Sequence, residues 1–412
     1  MKKDLKFLLL ALLLPWQAAS LFAAPGDGTV MLQGFHWYSW RSAPWWGEIS
    51  RRAGEISAAG MDLVWLPPSS DSLAPEGYLP RRLEVQDSSY GTEAQLAAAV
   101  RALHASGVKV IADVVVNHRV GTSDWADFSG PAWGADSVCS DDEWGKGKGA
   151  PDTGKGFHAA RDIDHTRPYV RESLKAWLKG LRDSPGYDGW RYDYARGLAP
   201  RYLLEYNRAT SPAFAVAEIW DDLDPGNPDA HRQALADWMD AVNGEIKVFD
   251  FTTKGLLQQA LMSGEFWRLR GRDGRPAGLL GWWPRNAVTF LDNHDTGPSP
   301  GGKLQAKSWP FPSERVMAGY AYLLTHPGVP CVYWPHFFDW GLKKEISALI
   351  GLRRQAGVDA ASQVVVLKAE QGLYASVTAG RLALKLGDRP WSPGEGWRLA
   401  ASGPGYAVWT HN

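Results

Sequence analysis

Cysteine is nearly absent: the 412-residue chain holds two, Cys139 and Cys331. A disulfide-stapled scaffold is thereby excluded. Export would permit one bridge, but the two local contexts look unrelated, so two unpaired thiols are expected. Charge of one sign is lacking too. Lys plus Arg number 44 against 45 Asp plus Glu, a net charge of −1, which argues against nucleic acid or an anionic membrane surface as a partner. Long apolar runs are missing. The run Phe7–Leu14 is far shorter than the ~20 residues that span a bilayer. Internal repeats and low-complexity tracts are also missing, so nothing indicates a repeat architecture.

What the N-terminus does carry is ordered. Lys2 and Lys3 precede the apolar run, and Ala- and Ser-rich sequence follows to Ala24. That is the order of a secretory signal, read as residues 1–24 with cleavage after Ser20, Ala23 or Ala24. A secreted or periplasmic protein with no membrane attachment after cleavage is expected. Nothing suggests an obligate partner, so a monomer is expected. The compositional anomaly is 22 Trp, many beside Gly and Pro rather than on a periodic stripe. Such rings suit stacking on the C–H faces of sugars, and equally suit ordinary core and rim packing.

Apolar runs alternate with amphipathic helical stretches over residues 25–356. The strands predicted are Met31–Phe35, Leu63–Leu66, Val108–Val116, Gly189–Asp193, Phe214–Glu218, Lys247–Phe251, Ala287–Leu291 and Val329–Trp334. Eight strands alternating with helices point to a (β/α)8 TIM barrel. Thr92 and Gln95 form a capping-box pattern ahead of Leu96–His104. Val170, Leu174, Trp177, Leu178 and Leu181 recur at helical spacing, and Leu342–Arg354 repeats the pattern. Residues 119–165 break the alternation after strand three and read as an irregular inserted loop domain, since so long an aperiodic connection is usually functional. Residues 357–412 read as a C-terminal antiparallel β domain, with strands at Val364–Leu367, Leu373–Val377, Leu382–Leu386 and Tyr406–Trp409.

Three of the barrel runs end on acids: Asp193, Glu218 and, a few residues past the seventh run, Asp295. One such acid is ordinarily a turn or cap residue. Three of them at C-terminal strand ends would open onto the one face where barrels house catalysis. Gathered there, carboxyls can protonate a leaving group, attack a carbon and steady a cation, which is what cleaving a glycosidic bond requires. Arg191, two residues before Asp193, shares its face of the strand. Its fixed cation would keep Asp193 ionised, while the clustered negative charge favours a protonated Glu218.

The segments Asp113-Val-Val-Val-Asn-His118, Gly189-Trp-Arg-Tyr-Asp193, Ala217-Glu-Ile-Trp220 and Leu291-Asp-Asn-His-Asp295 resemble, in order, the four short motifs of the α-amylase family. Val64-Trp-Leu-Pro-Pro68, Phe249-Asp-Phe-Thr-Thr-Lys-Gly255, Phe266-Trp-Arg-Leu-Arg-Gly271, Gly281-Trp-Trp-Pro284 and His336-Phe-Phe-Asp-Trp-Gly341 look like the plant (cereal) members. The resemblance runs from about residue 31 to Tyr406-Ala-Val-Trp409. It implies endo-hydrolysis of α-1,4 bonds in starch with retention of configuration, with Asp193 as nucleophile, Glu218 as acid and base, and Asp295 as transition-state stabiliser. It further implies substrate contacts from Arg191, His118, His294, Tyr78, Trp220 and Trp37, and a surface starch-binding pair at Trp282 and Trp283. Asp113 is read as a structural residue that orients Arg191 or backbone. Either histidine also has a purely structural reading, as does one ring of the tryptophan pair.

By the same resemblance one structural calcium is held by side chains of Asn117, Asp152 and Asp162 and carbonyls of Lys155 and Gly197. Calcium takes about six to eight oxygens in flexible geometry, which such a set with waters would supply. The alternative for Asp152 and Asp162 is solvated turn residues. The plant pattern is not kept throughout: the stretch from His118 to Cys139 is shortened by about ten residues, and Gly156 stands where the plant enzymes have an aspartate. One calcium rather than three is therefore expected. Three other functions stay open on the residues alone. A transglycosylase of the same family shares the carboxylates. A non-catalytic starch-binding protein would use only the aromatic platforms. A metal-dependent barrel enzyme would place an ion among Asp193, Glu218 and His294, where the cation of Arg191 opposes it.

Overall fold

Strands buried on both faces carry mainly apolar runs rather than alternation, and the barrel strands of this protein do so, with polar exceptions such as Gln33, Asp113 and Arg191. In the computed structural model, which describes residues 28–42, 44–123, 126–300 and 309–411, they are β1 Met31–Gln33, β2 Leu63–Leu66, β3 Lys109–Val114, β4 Gly189–Tyr192, β5 Phe214–Ala217, β6 Lys247–Phe249, β7 Ala287–Phe290 and β8 Val329–Tyr333. All are parallel, in the order 1-8-7-6-5-4-3-2, closed by pairing of Met31 with both Cys331 and Leu63. The predicted TIM barrel is the observed fold. The signal segment 1–24 lies outside the described residues.

Eight helices accompany the strands among the described residues: α1 Trp45–Ala58, α2 Glu93–Ala105, α3 Pro168–Asp183, α4 Pro200–Thr210, α5 Pro228–Ala241, α6 Phe251–Ser263, α7 Val316–Thr325 and α8 Lys343–Gln355. The capping box of α2 is complete: Gln95 N–H donates to Thr92 Oγ1 while Gln95 Oε1 accepts from Thr92 N–H. On α3 the five residues of the apolar stripe are all buried. Several predicted strands end one or two residues late. Asp193 and Glu218 stand just past the last strand residue, yet their N–H groups still donate to Val114 and Tyr192 at 3.1 Å. Phe251, read as strand, opens α6 instead, because Asp250 accepts from Thr253 N–H and caps the helix there.

Between β3 and α3 regular structure is sparse: a 3-10 turn at Ala135–Ser137 and a two-residue antiparallel ladder of His118–Arg119 with Arg161–Asp162. That ladder returns the loop to the strand-three end of the barrel. After the barrel, β9 Val364–Glu370, β10 Leu373–Thr378, β11 Leu382–Leu386, β12 Trp397–Gly403 and β13 Tyr406–His411 form an antiparallel sheet in the order 9-10-11-13-12. Four of these five were predicted. β12 was not: it is an edge strand with little buried side chain, and its Leu399 is exposed. Cys139 and Cys331 are buried free thiols, and burial pushes both thiol pKa values up. Among the described residues no helix is long and apolar enough to cross a membrane.

Candidate active site

Arg191 is the penultimate residue of β4 and is completely buried. A buried cation needs paired charge, and three carboxylates supply it. Nη1 donates to Asp193 Oδ1 at 2.7 Å and to both oxygens of Asp113 at 2.9 and 3.1 Å. Nη2 lies 2.8 Å from Glu218 Oε1, but outside hydrogen-bond geometry, so this is a charge contact rather than an aligned bond. Glu218 Oε2 accepts from Tyr194 N–H at 3.3 Å. One guanidinium thus draws together Asp193 and Glu218, which stand 25 positions apart and follow different strands.

Asp295 joins them through the β7 loop. Asn293 Oδ1 accepts from the N–H groups of Asp295 and Thr296, folding the chain into a tight turn. Asp295, Asp193 and Glu218 face one cavity of about 270 Å3, walled by Trp37, Tyr78, Phe157, Tyr194, Arg196, Trp220 and His294. The rings of Trp37, Tyr78 and His294 are mutually parallel within 5°, with centroids 5.0 to 6.0 Å apart, and form a stacked aromatic wall. Tyr78 is anchored through its hydroxyl, which donates to Asp113 Oδ2 at 2.8 Å. Trp220 stacks on Phe251 with centroids 5.3 Å apart.

The electrostatics follow from burial. It raises the pKa of Asp193 and of Glu218, with Arg191 opposing in both; at Glu218 the charge of Asp193 adds to the rise. Asp193 accepts the aligned, charged hydrogen bond and Glu218 does not, so of the two the shared proton belongs on Glu218. Burial, then Glu218, lifts Asp295 well above the usual carboxylate range. Burial lifts Asp113 to about 7 against the pull of Arg191. Arg191 itself stays protonated: burial opposes its charge, but Asp113, Glu218 and Asp193 outweigh it.

Not every predicted contact residue reaches the cavity. His118 is set back from it, with Nε2 2.9 Å from the Tyr78 carbonyl, Nδ1 3.3 Å from Asn117 Nδ2, and its ring stacked on Phe157 at 3.8 Å. Phe157 takes the wall position instead. Trp282 and Trp283 lie away from the cavity. Trp283 is 47% exposed, while one face of Trp282 is covered by the Arg232 guanidinium of α5 at 3.4 Å. Sequence reasoning passed over three wall residues, Phe157, Tyr194 and Arg196. Tyr194 adjoins Asp193 and was within reach of inspection, but its left-handed backbone (φ 44°) was not readable. Phe157 sits in an aperiodic loop with no pattern to mark it.

Of the expected calcium ligands, Asn117, Asp162 and Gly197 come together at the base of the loop domain. Asn117 Nδ2 donates to Asp162 Oδ1 at 3.1 Å. Gly197 presses so close that a Cβ there would lie 2.2 Å from Asn117 Oδ1. Lys155 N–H donates to the Arg196 carbonyl at 3.1 Å, which brings the loop against Gly197. Asp152 accepts through Oδ1 from Thr153 and Gly154, but its buried Oδ2 has no hydrogen-bond partner. Burial and neighbouring carboxylates push Asp162 up to about 8 and raise Asp152 as well. Buried, crowded oxygen donors with one orphaned oxygen fit a hard cation such as calcium. At Gly156, the space a side chain would need is filled by Glu143, whose Oε1 would lie 2.0 Å from an added Cβ. Asp142, beside it, is paired with buried Arg161 at 2.8 Å.

Comparison with known proteins places this geometry. Residues 49–141 match the family model described as the alpha amylase catalytic domain, and residues 355–410 match the alpha-amylase C-terminal beta-sheet domain. The chain is 43% identical over 396 residues to a probable alpha-amylase 2 of Arabidopsis thaliana, covering 92% of this chain and 93% of that one. It is 33% identical over 383 residues to a glucan 1,4-alpha-maltotetraohydrolase of Stutzerimonas stutzeri, covering 87% and 68%. Among solved structures, an alpha-amylase from Malbranchea cinnamomea shares the fold with a TM-score of 0.69 at 19% identity, covering 94% and 98%. The barrel, its acidic cavity and these likenesses make the chain a member of the α-amylase family of glycoside hydrolases, close to the plant enzymes.

Proposed function

We propose that the protein is an exported α-amylase that cleaves internal α-1,4 bonds of starch with retention of configuration. The observation that carries this reading is the contact of Asp193 and Glu218 with the two terminal nitrogens of one buried guanidinium, beside Asp295. Asp193 attacks the anomeric carbon as Glu218 gives its proton to the departing glycosidic oxygen, and the C1–O bond breaks. Water then adds to C1, Glu218 takes back a proton, and Asp193 leaves, so two inversions restore the original configuration. Asp295 faces the positive charge that develops on the ring, and the Trp37–Tyr78–His294 wall stacks on its apolar side. Trp220 lines the leaving-group side. Calcium bound by Asn117, Asp152, Asp162 and the carbonyls of Lys155 and Gly197 would supply structural cross-linking of the loop domain to the barrel. Starch as substrate is supported by the family, endo action by the resemblance to plant α-amylases, and export by the charged, apolar and small-residue order of the first 24 residues.

A timed digest of soluble starch tests the whole reading. Iodine staining should fall well ahead of reducing-end release, and the first products should be α-anomers by NMR. Newly formed β-anomers would overturn retention. Maltotetraose as the sole early product would overturn endo action, and chains longer than a maltoheptaose substrate would turn the assignment to transglycosylation.

A further inference from the structure

Gln33 on β1 is wholly buried, and its amide nitrogen lies 3.0 Å from Nδ1 of His294. The opposite ring nitrogen, Nε2, lies 3.2 Å from Oδ2 of Asp295. His294 cannot swing away from these two contacts. Its ring is parallel to Tyr78 at 5.0 Å and to Trp37 at 6.0 Å, with Phe35 and Trp65 against it at 5.0 and 5.5 Å. With orientation fixed, the position of the ring proton decides how each contact bonds.

Burial, with the charge of Arg191 second, holds this imidazole neutral, so there is one N–H to place. On Nε2 it points to the Asp295 carboxyl, a charge contact rather than an aligned hydrogen bond, while Nδ1 accepts from the Gln33 amide. On Nδ1 it would meet the Gln33 amide donor to donor at 3.0 Å, and a bare Nε2 lone pair would face a carboxylate. Turning the amide over repairs the first clash but not the second once Asp295 is ionised, the form in which it can face a developing cation. Stability alone does not favour glutamine here, because its Oε1 is buried without a hydrogen-bond partner, a cost an apolar side chain would not carry.

We propose that Gln33 is a positioning residue for glycoside cleavage: its amide N–H fixes the Nε2–H tautomer of His294 and so aims a neutral donor at Asp295 and at the sugar it contacts. The proposal rests on the amylase reading for its link to catalysis, but not for the tautomer. The general logic is that the hydrogen bond at one ring nitrogen sets the chemistry of the other.

The test uses the full-length protein labelled with 15N-histidine, the His294 signals being assigned by their loss in His294→Gln. The wild type should show a protonated Nε2 and a bare Nδ1 at neutral pH. Gln33→Met, similar in length but unable to donate, should lower kcat/KM on maltoheptaose about ten- to hundredfold, chiefly through kcat, with an unchanged or higher melting temperature. Gln33→Glu, which only accepts, should move the proton to Nδ1 or protonate both nitrogens, and it serves where the methionine variant does not fold. A wild-type spectrum with the proton on Nδ1, or wild-type kinetics in both variants, would overturn the proposal. A wild type that forms the Nε2–H tautomer yet cleaves no glucan would instead sink the amylase reading.

Discussion

Asp193 is the residue whose surroundings leave it fewest alternatives. It is buried, holds the aligned 2.7 Å hydrogen bond from Arg191, and lies on the cavity wall with Glu218 and Asp295. Asp193→Asn keeps the shape and removes the attacking charge. Hydrolysis of starch should fall by at least about 1000-fold, while starch binding, measured by affinity electrophoresis, should persist. Turnover near the wild-type level would show that another group attacks. The three cavity carboxyls were legible because each ends or closely follows an apolar run, where a carboxylate is out of pattern. Arg191 was legible from its two-residue spacing to Asp193. Its contact with Glu218 was not, because a strand pattern says which face a side chain shares and nothing about which strand lies beside it. Gln33 and Phe157 left no signal: one is a lone polar residue in an apolar strand, the other a ring among loop residues.

At the scale of elements, the loop between β3 and α3 depends on few backbone ladders and many carboxylates. Asp162 alone accepts from Asn117 Nδ2 and from Phe157 N–H, so it ties the loop base to the segment that carries a cavity-wall ring. Without a cation its charge is opposed by burial and by Asp152, Glu143 and Asp142. Chelation should therefore lower the melting temperature by about 5–10 °C, reversed by calcium rather than magnesium, which dehydrates reluctantly and is seldom held by an all-protein cage. Asp162→Asn should erase the difference between chelated and calcium-loaded protein. Metal analysis after dialysis should return one calcium per chain; two or more would mean that Asp142 and Glu143 also take part. The barrel strands were legible because burial on both faces writes mainly apolar runs, interrupted at a few positions such as Gln33, Asp113 and Arg191. The loop was legible only as an interruption, since its order comes from side-chain contacts distant in sequence. β12 escaped notice for the opposite reason: as an edge strand it buries too little to be written in apolar residues.

The whole molecule joins a barrel to a β sheet, and the joint carries a buried histidine. His326, just after α7, stacks on Tyr322 at 3.8 Å, while its Nε2 lies 2.8 Å from the hydroxyl of Tyr374 on β10. Arg353 of α8 donates to the His326 carbonyl at 2.5 Å and to that of Gly328 at 2.9 Å, fixing the turn beneath it. Burial, with the charge of Arg353 also opposing protonation, lowers the imidazole from its ordinary 6.5 to about 3. The sign of the consequence is definite. Between pH 6.5 and about 3 the unfolded chain binds a proton here and the folded one does not, so the stability that neutral His326 contributes above pH 6.5 is lost as pH falls through that window. His326→Gln removes the titration and some packing. At pH 7 the variant should melt below the wild type. On acidification the gap should close by about 1.4 kcal/mol for each pH unit below 6.5, as read from denaturant titrations. A gap that stays constant down to about pH 4.5, still well inside that window, would mean that His326 is protonated in the folded protein and that the joint is wetter than its burial implies.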